Sequence, residues 1–146
     1  MLRWRSASGG AGELFARDGG YGRNLPSHAT SAAALVSLVR NTLIFDDGDS
    51  LNLTLGARDA WWRRGRVRGA PTRWGLLDLD FRRGEHSAEW RWTPVPVWTA
   101  LTLPPGMRLD GPPDAPLIAA SSGTALLAPP GTRRARARIR SGDGSL

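Results

Sequence analysis

The 146-residue chain contains no cysteine, no lysine and no glutamine. Without cysteine it has no disulfide framework, no thiolate nucleophile and no cysteine-ligated zinc or iron–sulfur site. Such a chain suits reducing and oxidising surroundings alike, so its compartment stays open. No apolar run approaches the roughly 20 residues of a membrane-spanning helix, and no signal peptide is readable near the N-terminus. The sequence therefore leaves the localisation unknown and predicts no membrane contact.

The charge is carried by few residue types. All 20 basic residues are arginine, ten of the 13 acidic residues are aspartate, and the formal net charge is +7. An arginine excess can indicate phosphate recognition, but a surface selected for nucleic acid normally uses lysine as well. The lysine-free composition is typical of a very GC-rich genome, and it argues against nucleic acid as the partner.

Apolar periodicity divides the chain into one helix and a series of short strands. Leu35, Leu38 and Val39 have helical spacing, whereas later apolar residues alternate with polar ones and are separated by Gly- and Pro-rich turns. The predicted segments are an irregular N-terminal segment (1–27), a helix (28–42), a β-sandwich domain (43–140) and a tail (141–146). The predicted fold is mainly β, an antiparallel β-sandwich preceded by one α-helix.

Alternating apolar residues locate the strands within the predicted sandwich. The candidate strands are 51–55, 74–81, 87–93, 95–103, 124–128 and 134–140. An Asp-Gly pair at Asp47-Gly48 separates the first of these from the apolar run 43–45, which is a hairpin signal because glycine accepts the positive φ of a tight turn.

The acidic residues do not form the set that a glycosidase requires, which is two carboxylates held apart across a cleft. They cluster in one turn (Asp46, Asp47 and Asp49) and on one strand face (Asp78 and Asp80). The turn acids suit local backbone hydrogen bonds and lack the spacing of an EF-hand, and the strand acids are predicted to be solvated. His28 and His86 match no zinc motif. The sequence therefore predicts no catalytic set, no metal site and no cofactor.

Six tryptophans lie between positions 61 and 98. An exposed indole ring can stack on a sugar ring or on a base, whereas a buried one fills the core. Trp90 and Trp92 share one strand face, which favours the core. Trp61 and Trp62 are adjacent and would point to opposite sides of an extended chain. They are therefore the candidate carbohydrate-binding residues.

Two arginine-rich stretches allow two interpretations. One runs from Arg63 to Arg68 beside the tryptophan pair, and the other places arginine at every second position from Arg134 to Arg140. They could form a nucleic-acid surface, or their stems could cover apolar strand edges and prevent edge-to-edge pairing. The composition favours the second interpretation.

A series of short motifs follows the predicted helix in a fixed order. They are Leu-Val-Ser-Leu-Val-Arg-Asn-Thr-Leu-Ile (35–44), Asp-Asp-Gly-Asp-Ser-Leu-Asn-Leu (46–53), Gly-Ala-Arg-Asp-Ala-Trp-Trp (56–62), a basic segment with Val67, and Ala-Pro-Thr-Arg-Trp-Gly (70–75). Two Pro-Pro-Gly turns follow, at 104–106 and 129–131. Over roughly residues 14–139 this order resembles the C-terminal region of bacterial six-hairpin (α/α)6-barrel glycoside-hydrolase-like proteins.

The resemblance implies a last barrel helix that leads into a β-sandwich. The chain is too short to contain the barrel, so no catalytic residue carries over and the isolated chain is expected not to be an enzyme. The first functional hypothesis is a non-catalytic C-terminal module, or a truncated fragment, of a carbohydrate-active protein, whose partners would be a catalytic barrel or a glycan. The alternatives are a free-standing carbohydrate-binding module that uses Trp61 or Trp62, and an arginine-rich nucleic-acid-binding domain.

Overall fold

The computed structural model describes residues 29–142, and the side chains from residue 32 onward. Helix α1 (Ala29–Leu43) has no internal glycine or proline, and Arg40 in its last turn suits the negative end of the helix dipole. His28, the rest of the predicted irregular segment and residues 143–146 of the predicted tail lie outside the described residues. In the described part of the chain, no helix is long and apolar enough to cross a membrane.

Ten strands and one 3₁₀ helix follow α1. In chain order the strands are β1 (Ile44–Asp47), β2 (Ser50–Leu53), β3 (Gly65–Thr72), β4 (Gly75–Arg83), β5 (Ser87–Trp92), β6 (Trp98–Thr102), β7 (Met107–Leu109), β8 (Ile118–Ala119), β9 (Ala125–Ala128) and β10 (Arg134–Ser141). The 3₁₀ helix (Asp59–Arg63) lies between β2 and β3. Ser141, which was predicted to belong to the tail, is the last residue of β10.

The strands form two five-stranded sheets. Sheet 1 has the order β1-β2-β6-β9-β8, and sheet 2 has the order β3-β4-β5-β10-β7. All pairs in sheet 2 are antiparallel, and sheet 1 contains one parallel pair, β2 with β6. The predicted fold class, a β-sandwich preceded by one helix, is therefore confirmed, with this one parallel pair added.

Strand alternation directs the apolar residues of both sheets into one core. Its largest fully buried aliphatic side chains are Ile44, Leu51, Leu53, Leu101 and Leu126 from sheet 1 and Leu77, Leu79 and Ile139 from sheet 2. Each such side chain contributes about 1.5–3 kcal/mol relative to exposure. The polar residues between them consequently face outward, which gives the sandwich two outer faces.

One buried hydroxyl connects the two sheets. Thr54 follows β2 and is buried, and its Oγ1 accepts a hydrogen bond from Trp90 Nε1 of sheet 2 at 3.2 Å. The hydroxyl proton is directed at the carbonyl oxygens of Leu53, at 2.6 Å, and of Thr102, at 2.7 Å. Thr54 holds a φ of +60°, which is strained for a β-branched residue.

Several strand boundaries differ from the alternation pattern, for physical reasons. The predicted strand 95–103 begins only at Trp98, since Pro94 and Pro96 have no backbone N–H to donate. Strand β3 was not predicted as a strand, because it contains Gly65, Gly69 and Pro71. It tolerates Pro71 because it is an edge strand of sheet 2.

Candidate functional site

The tryptophan pair does not have the extended conformation that would expose one of its two rings. Trp61 and Trp62 lie in the 3₁₀ helix, and Trp62 has no exposed surface. The Trp62 ring makes edge-to-face contacts with Phe81, at 5.0 Å between centroids, and with Trp90, at 5.4 Å. Trp61 is partly buried against the same core. Trp62, predicted as a candidate carbohydrate-binding residue, therefore presents no ring face to a sugar in this structure, and Trp61 offers only part of its ring.

The remaining tryptophans of the central region divide between core and surface. Trp90 and Trp92 are buried, as their shared strand face predicted. Trp98 is 45% exposed on β6, because Thr99 takes the inward position next to it. The alternation of Thr99 and Leu101 contained the signal for this exposed ring, which was not among the residues predicted to bind carbohydrate.

The strand acids Asp78 and Asp80 are bound by the neighbouring strand β3. Asp80 accepts hydrogen bonds from Arg66 Nε and from Arg68 Nη2, both at 2.8 Å. Asp78 Oδ1 accepts the backbone N–H of Gly69 at 2.8 Å. Partial desolvation raises the pKa of Asp80, but the hydrogen bonds and charges of the two arginines outweigh it and hold the pKa below its ordinary value. The side chains of both aspartates thus connect β4 to β3.

One of the turn acids and the one described histidine have polar partners. Asp46 Oδ2 accepts the backbone N–H of Arg73 at 3.1 Å, which ties the β1–β2 turn to the β3–β4 turn. His86 is exposed, and its Nε2 lies 3.5 Å from Glu85 Oε1. Within residues 29–142, no three His, Asp or Glu side chains are grouped as a metal site would require.

The outer face of sheet 2, which we call the arginine face, is strongly basic. Strand alternation places nine arginines and three acids on it: Arg66, Arg68, Arg82, Arg91, Arg108, Arg134, Arg136, Arg138 and Arg140, with Asp78, Asp80 and Glu89. The acids lie on β4 and β5. The positive charge is therefore least balanced along β10 and β7.

Ion pairs on the arginine face follow this distribution. Asp80 binds the two arginines of β3, and Glu89 lies 2.7 Å from Arg82 Nη2 and 3.5 Å from Arg136 Nε. In contrast, four arginines make no ion pair with any residue that the structure describes: Arg91, Arg108, Arg134 and Arg138.

The strand register places like charges directly opposite one another. Arg134 of β10 is the register partner of Arg91 of β5, and Arg140 of β10 is the partner of Arg108 of β7. Side chains that face each other across an antiparallel pair have Cβ atoms about 4.5–5.5 Å apart, and like charges there are destabilising. Both ends of β10 therefore carry a repulsive arginine pair.

Two open grooves border β5 on the arginine face. One, of about 600 Å³, is lined by Glu89, Arg91, Arg134 and Arg136 and by the loop residues 114–117. The other, of about 470 Å³, lies on the β4 side and is lined by residues that include Arg64, Arg66, Arg82 and Glu89. Both grooves thus combine guanidinium groups with carboxylates.

The outer face of sheet 1, which we call the neutral face, has the opposite character. One register row crosses all five strands and contains Phe45, Asn52, Ala100, Leu127 and Ile118. Ile118 is 51% exposed, and the exposed ring of Trp98 lies next to this row. Of the described residues in these strands, only Asp47 adds a charge to this face.

Comparisons with known proteins do not assign the chain to a family. No family model, curated protein or solved structure matches it significantly. The two outer faces differ in charge although they belong to one sandwich, and their chemistry is what indicates a function.

Proposed function

We propose that the chain is a non-catalytic β-sandwich module of a carbohydrate-active protein, and that its neutral face docks against a catalytic (α/α)6 barrel. The observation that carries this proposal is the neutral row across sheet 1. Solvated strand faces normally carry charged residues, as the arginine face does, whereas an uncharged face with exposed apolar side chains such as Ile118 and Trp98 is typical of an interaction surface.

The apolar character of the neutral face supports docking against a protein. The row contains two large aliphatic side chains, Leu127 and Ile118, and an aromatic ring, Phe45. Trp98 on the adjacent row adds a large amphipathic ring, of the kind enriched at the centres of interfaces. A larger domain would remove the parts of these side chains that remain exposed from water.

The hydrogen bonds and ion pairs that hold Asp78 and Asp80 support a non-catalytic role. A glycosidase acid needs a carboxyl group with a raised pKa beside the scissile bond. Asp80 has a lowered pKa and is held by two arginines, and Asp78 closes the bulge of β3. Both carboxylates are thus already bound within the sheet.

The test is to search the neighbouring reading frames for one that encodes an (α/α)6-barrel chain, and to measure its binding to this chain by isothermal titration calorimetry. We expect a 1:1 complex that Ile118→Arg or Trp98→Arg weakens at least about tenfold, because each would bury a charge in the interface. Leu76→Arg is the matched control, since Leu76 is 70% exposed and belongs to sheet 2.

Three results would overturn the proposal. The first is that no barrel chain is encoded nearby or that no complex forms. The second is that Leu76→Arg weakens the complex as much as Ile118→Arg does. The third is that the isolated chain hydrolyses a glycoside and loses this turnover on Asp78→Asn or Asp80→Asn.

A further inference from the structure

We propose that the arginine face carries a second binding site, which binds a carboxylate-bearing polysaccharide in the groove beside Arg91 and Arg134. This site lies on the side of the sandwich opposite the neutral face. The choice of a glycan rests on the proposed function; the choice of an anion rests on the arginine face alone.

The like-charge pair at Arg91 and Arg134 is the first argument for an anion. Neither guanidinium has a carboxylate partner in the described structure, and the register sets the two residues directly opposite each other. A carboxylate between them would replace repulsion with two charge-assisted hydrogen-bonded contacts. The planar guanidinium fork matches a carboxylate in a bidentate manner.

Another part of the same sheet, where an aspartate neutralises two arginines, can be compared with the pair Arg91 and Arg134. On the β3 side, Asp80 lies within 2.8 Å of both Arg66 and Arg68. If these arginines served only as solvated surface residues, an acidic side chain could pair with Arg91 and Arg134 as Asp80 pairs with Arg66 and Arg68. The missing carboxylate at that pair is therefore the group that a ligand would supply.

The spacing along β10 suits a polymer rather than a single small ion. Alternate residues of a strand are about 6.6–6.8 Å apart on one face. Arg134, Arg136 and Arg138 therefore form a regular line of guanidinium groups, of which the middle one shares Glu89 with Arg82. A chain with repeated carboxylates can engage successive members of this line.

The composition of the groove favours a sugar chain over nucleic acid. Glu89 and Asp114 line the groove beside the arginines, where they would accept hydrogen bonds from sugar hydroxyls, which a DNA backbone lacks. The strands of sheet 2 direct Trp90 and Trp92 into the core, and the described residues of this face add no aromatic ring for base stacking.

The experiment measures binding of the full chain to polygalacturonate by calorimetry at low salt. We expect binding that weakens as salt is added, and that Arg91→Gln/Arg134→Gln weakens at least about tenfold. Arg40→Gln/Arg58→Gln is the matched control, because it removes the same charge from residues outside sheet 2. We expect this control to bind as the native chain does. Fully methyl-esterified polygalacturonate should not bind, since it keeps the sugars and lacks the charge.

Thermal unfolding shows whether a variant has lost only its contact with the polysaccharide or has lost its fold. The Arg91→Gln/Arg134→Gln variant should melt at the same temperature as the native chain or higher, because it relieves the like-charge pair. A lower melting temperature would contradict the electrostatic argument. Retention of polygalacturonate binding by this variant, or absence of binding by the native chain, would overturn the proposal.

Two further probes distinguish the polyanion classes. Dextran sulfate or a 20-base-pair DNA duplex that binds as tightly as polygalacturonate would overturn the carboxylate assignment and leave a general polyanion surface. The variants Ile118→Arg and Trp98→Arg should leave polygalacturonate binding unchanged. A failure on the arginine face is therefore distinguishable from a failure of docking on the neutral face.

Discussion

Thr54 shows how one residue can fix the distance between two sheets. It holds an unfavourable positive φ, yet its hydroxyl satisfies the indole N–H of Trp90 and is directed at the carbonyl of Thr102. A strained residue persists where its surroundings over-determine its conformation, and the contacts from both sheets do so here. The hydroxyl is therefore a structural element of the core.

Thr54→Val should lower the free energy of unfolding by about 1–3 kcal/mol, because it leaves the buried Trp90 N–H without an acceptor. Thr99→Val is the matched control: Thr99 is also buried, but no side-chain hydrogen bond of its own is present in the described structure. We expect Thr99→Val to unfold at the urea concentration of the native chain or above it. Equal losses in both variants would contradict the assigned role of the Thr54 hydroxyl.

The burial of a side chain could be predicted from the sequence where strand alternation alone determines it. Trp90 and Trp92 were assigned to the core on this basis, and the structure agrees. Trp62 could not be assigned, because its burial depends on a 3₁₀ turn that brings it against Phe81 and Trp90. A contact between residues distant in sequence leaves no local pattern.

At the scale of the element, the first residue of β3 is a glycine packed directly under an aromatic ring. Gly65 is the register partner of Phe81 on β4, and a Cβ at position 65 would lie 2.1 Å from the Phe81 ring. The aromatic ring therefore covers the glycine and fills the space that its missing side chain leaves. The same ring contacts Trp62, so β3, β4 and the 3₁₀ helix meet at one point.

Gly65→Ala should lower the free energy of unfolding by about 1–3 kcal/mol, because Phe81 must leave its position to make room for the methyl group. Phe81→Leu removes the ring and is the second single variant of a double-mutant cycle. In the Phe81→Leu chain, Gly65→Ala should cause a smaller further loss of unfolding free energy. Unfolding of the four chains in urea measures the difference. If the two changes are additive, the contact between Gly65 and Phe81 does not account for the loss.

The elements that the sequence did not reveal are those with unusual local chemistry. Strand β3 combines a bulge at Gly69, where φ is +60°, with a proline at position 71. Strand β8 has only two residues, too few for any alternation. By contrast, β5 and β10 alternate throughout and were predicted within one residue at each end.

The charge asymmetry of the whole molecule depends on the register of the strands. The sequence predicted that the arginines between 134 and 140 share one face of the last strand, and the structure agrees. It could not predict that Arg134 stands opposite Arg91, since pairing register is not visible in a single strand. The interpretation of these arginines as protection of apolar strand edges applies only to part of β10, because β5 pairs with residues 134–138 on one side and β7 pairs only with residues 139–141 on the other.

The sandwich should fold without most of α1. The contacts divide the chain between Arg40 and Asn41, and the second unit retains Thr42 and Leu43. The backbone carbonyls of these two residues accept the N–H groups of Gly56 and Thr54. A fragment of residues 41–142 therefore keeps these hydrogen bonds together with both sheets.

We expect the 41–142 fragment to unfold in one cooperative transition, within about 5 °C of the main transition of the full chain, as followed by circular dichroism. A fragment of residues 45–142 is the matched control. It loses the two carbonyl acceptors and the buried Ile44, and should melt at least about 5 °C lower. If both fragments melt alike, the junction between α1 and β1 contributes nothing to the sandwich. If the 41–142 fragment fails to fold, the boundary between the two units lies elsewhere.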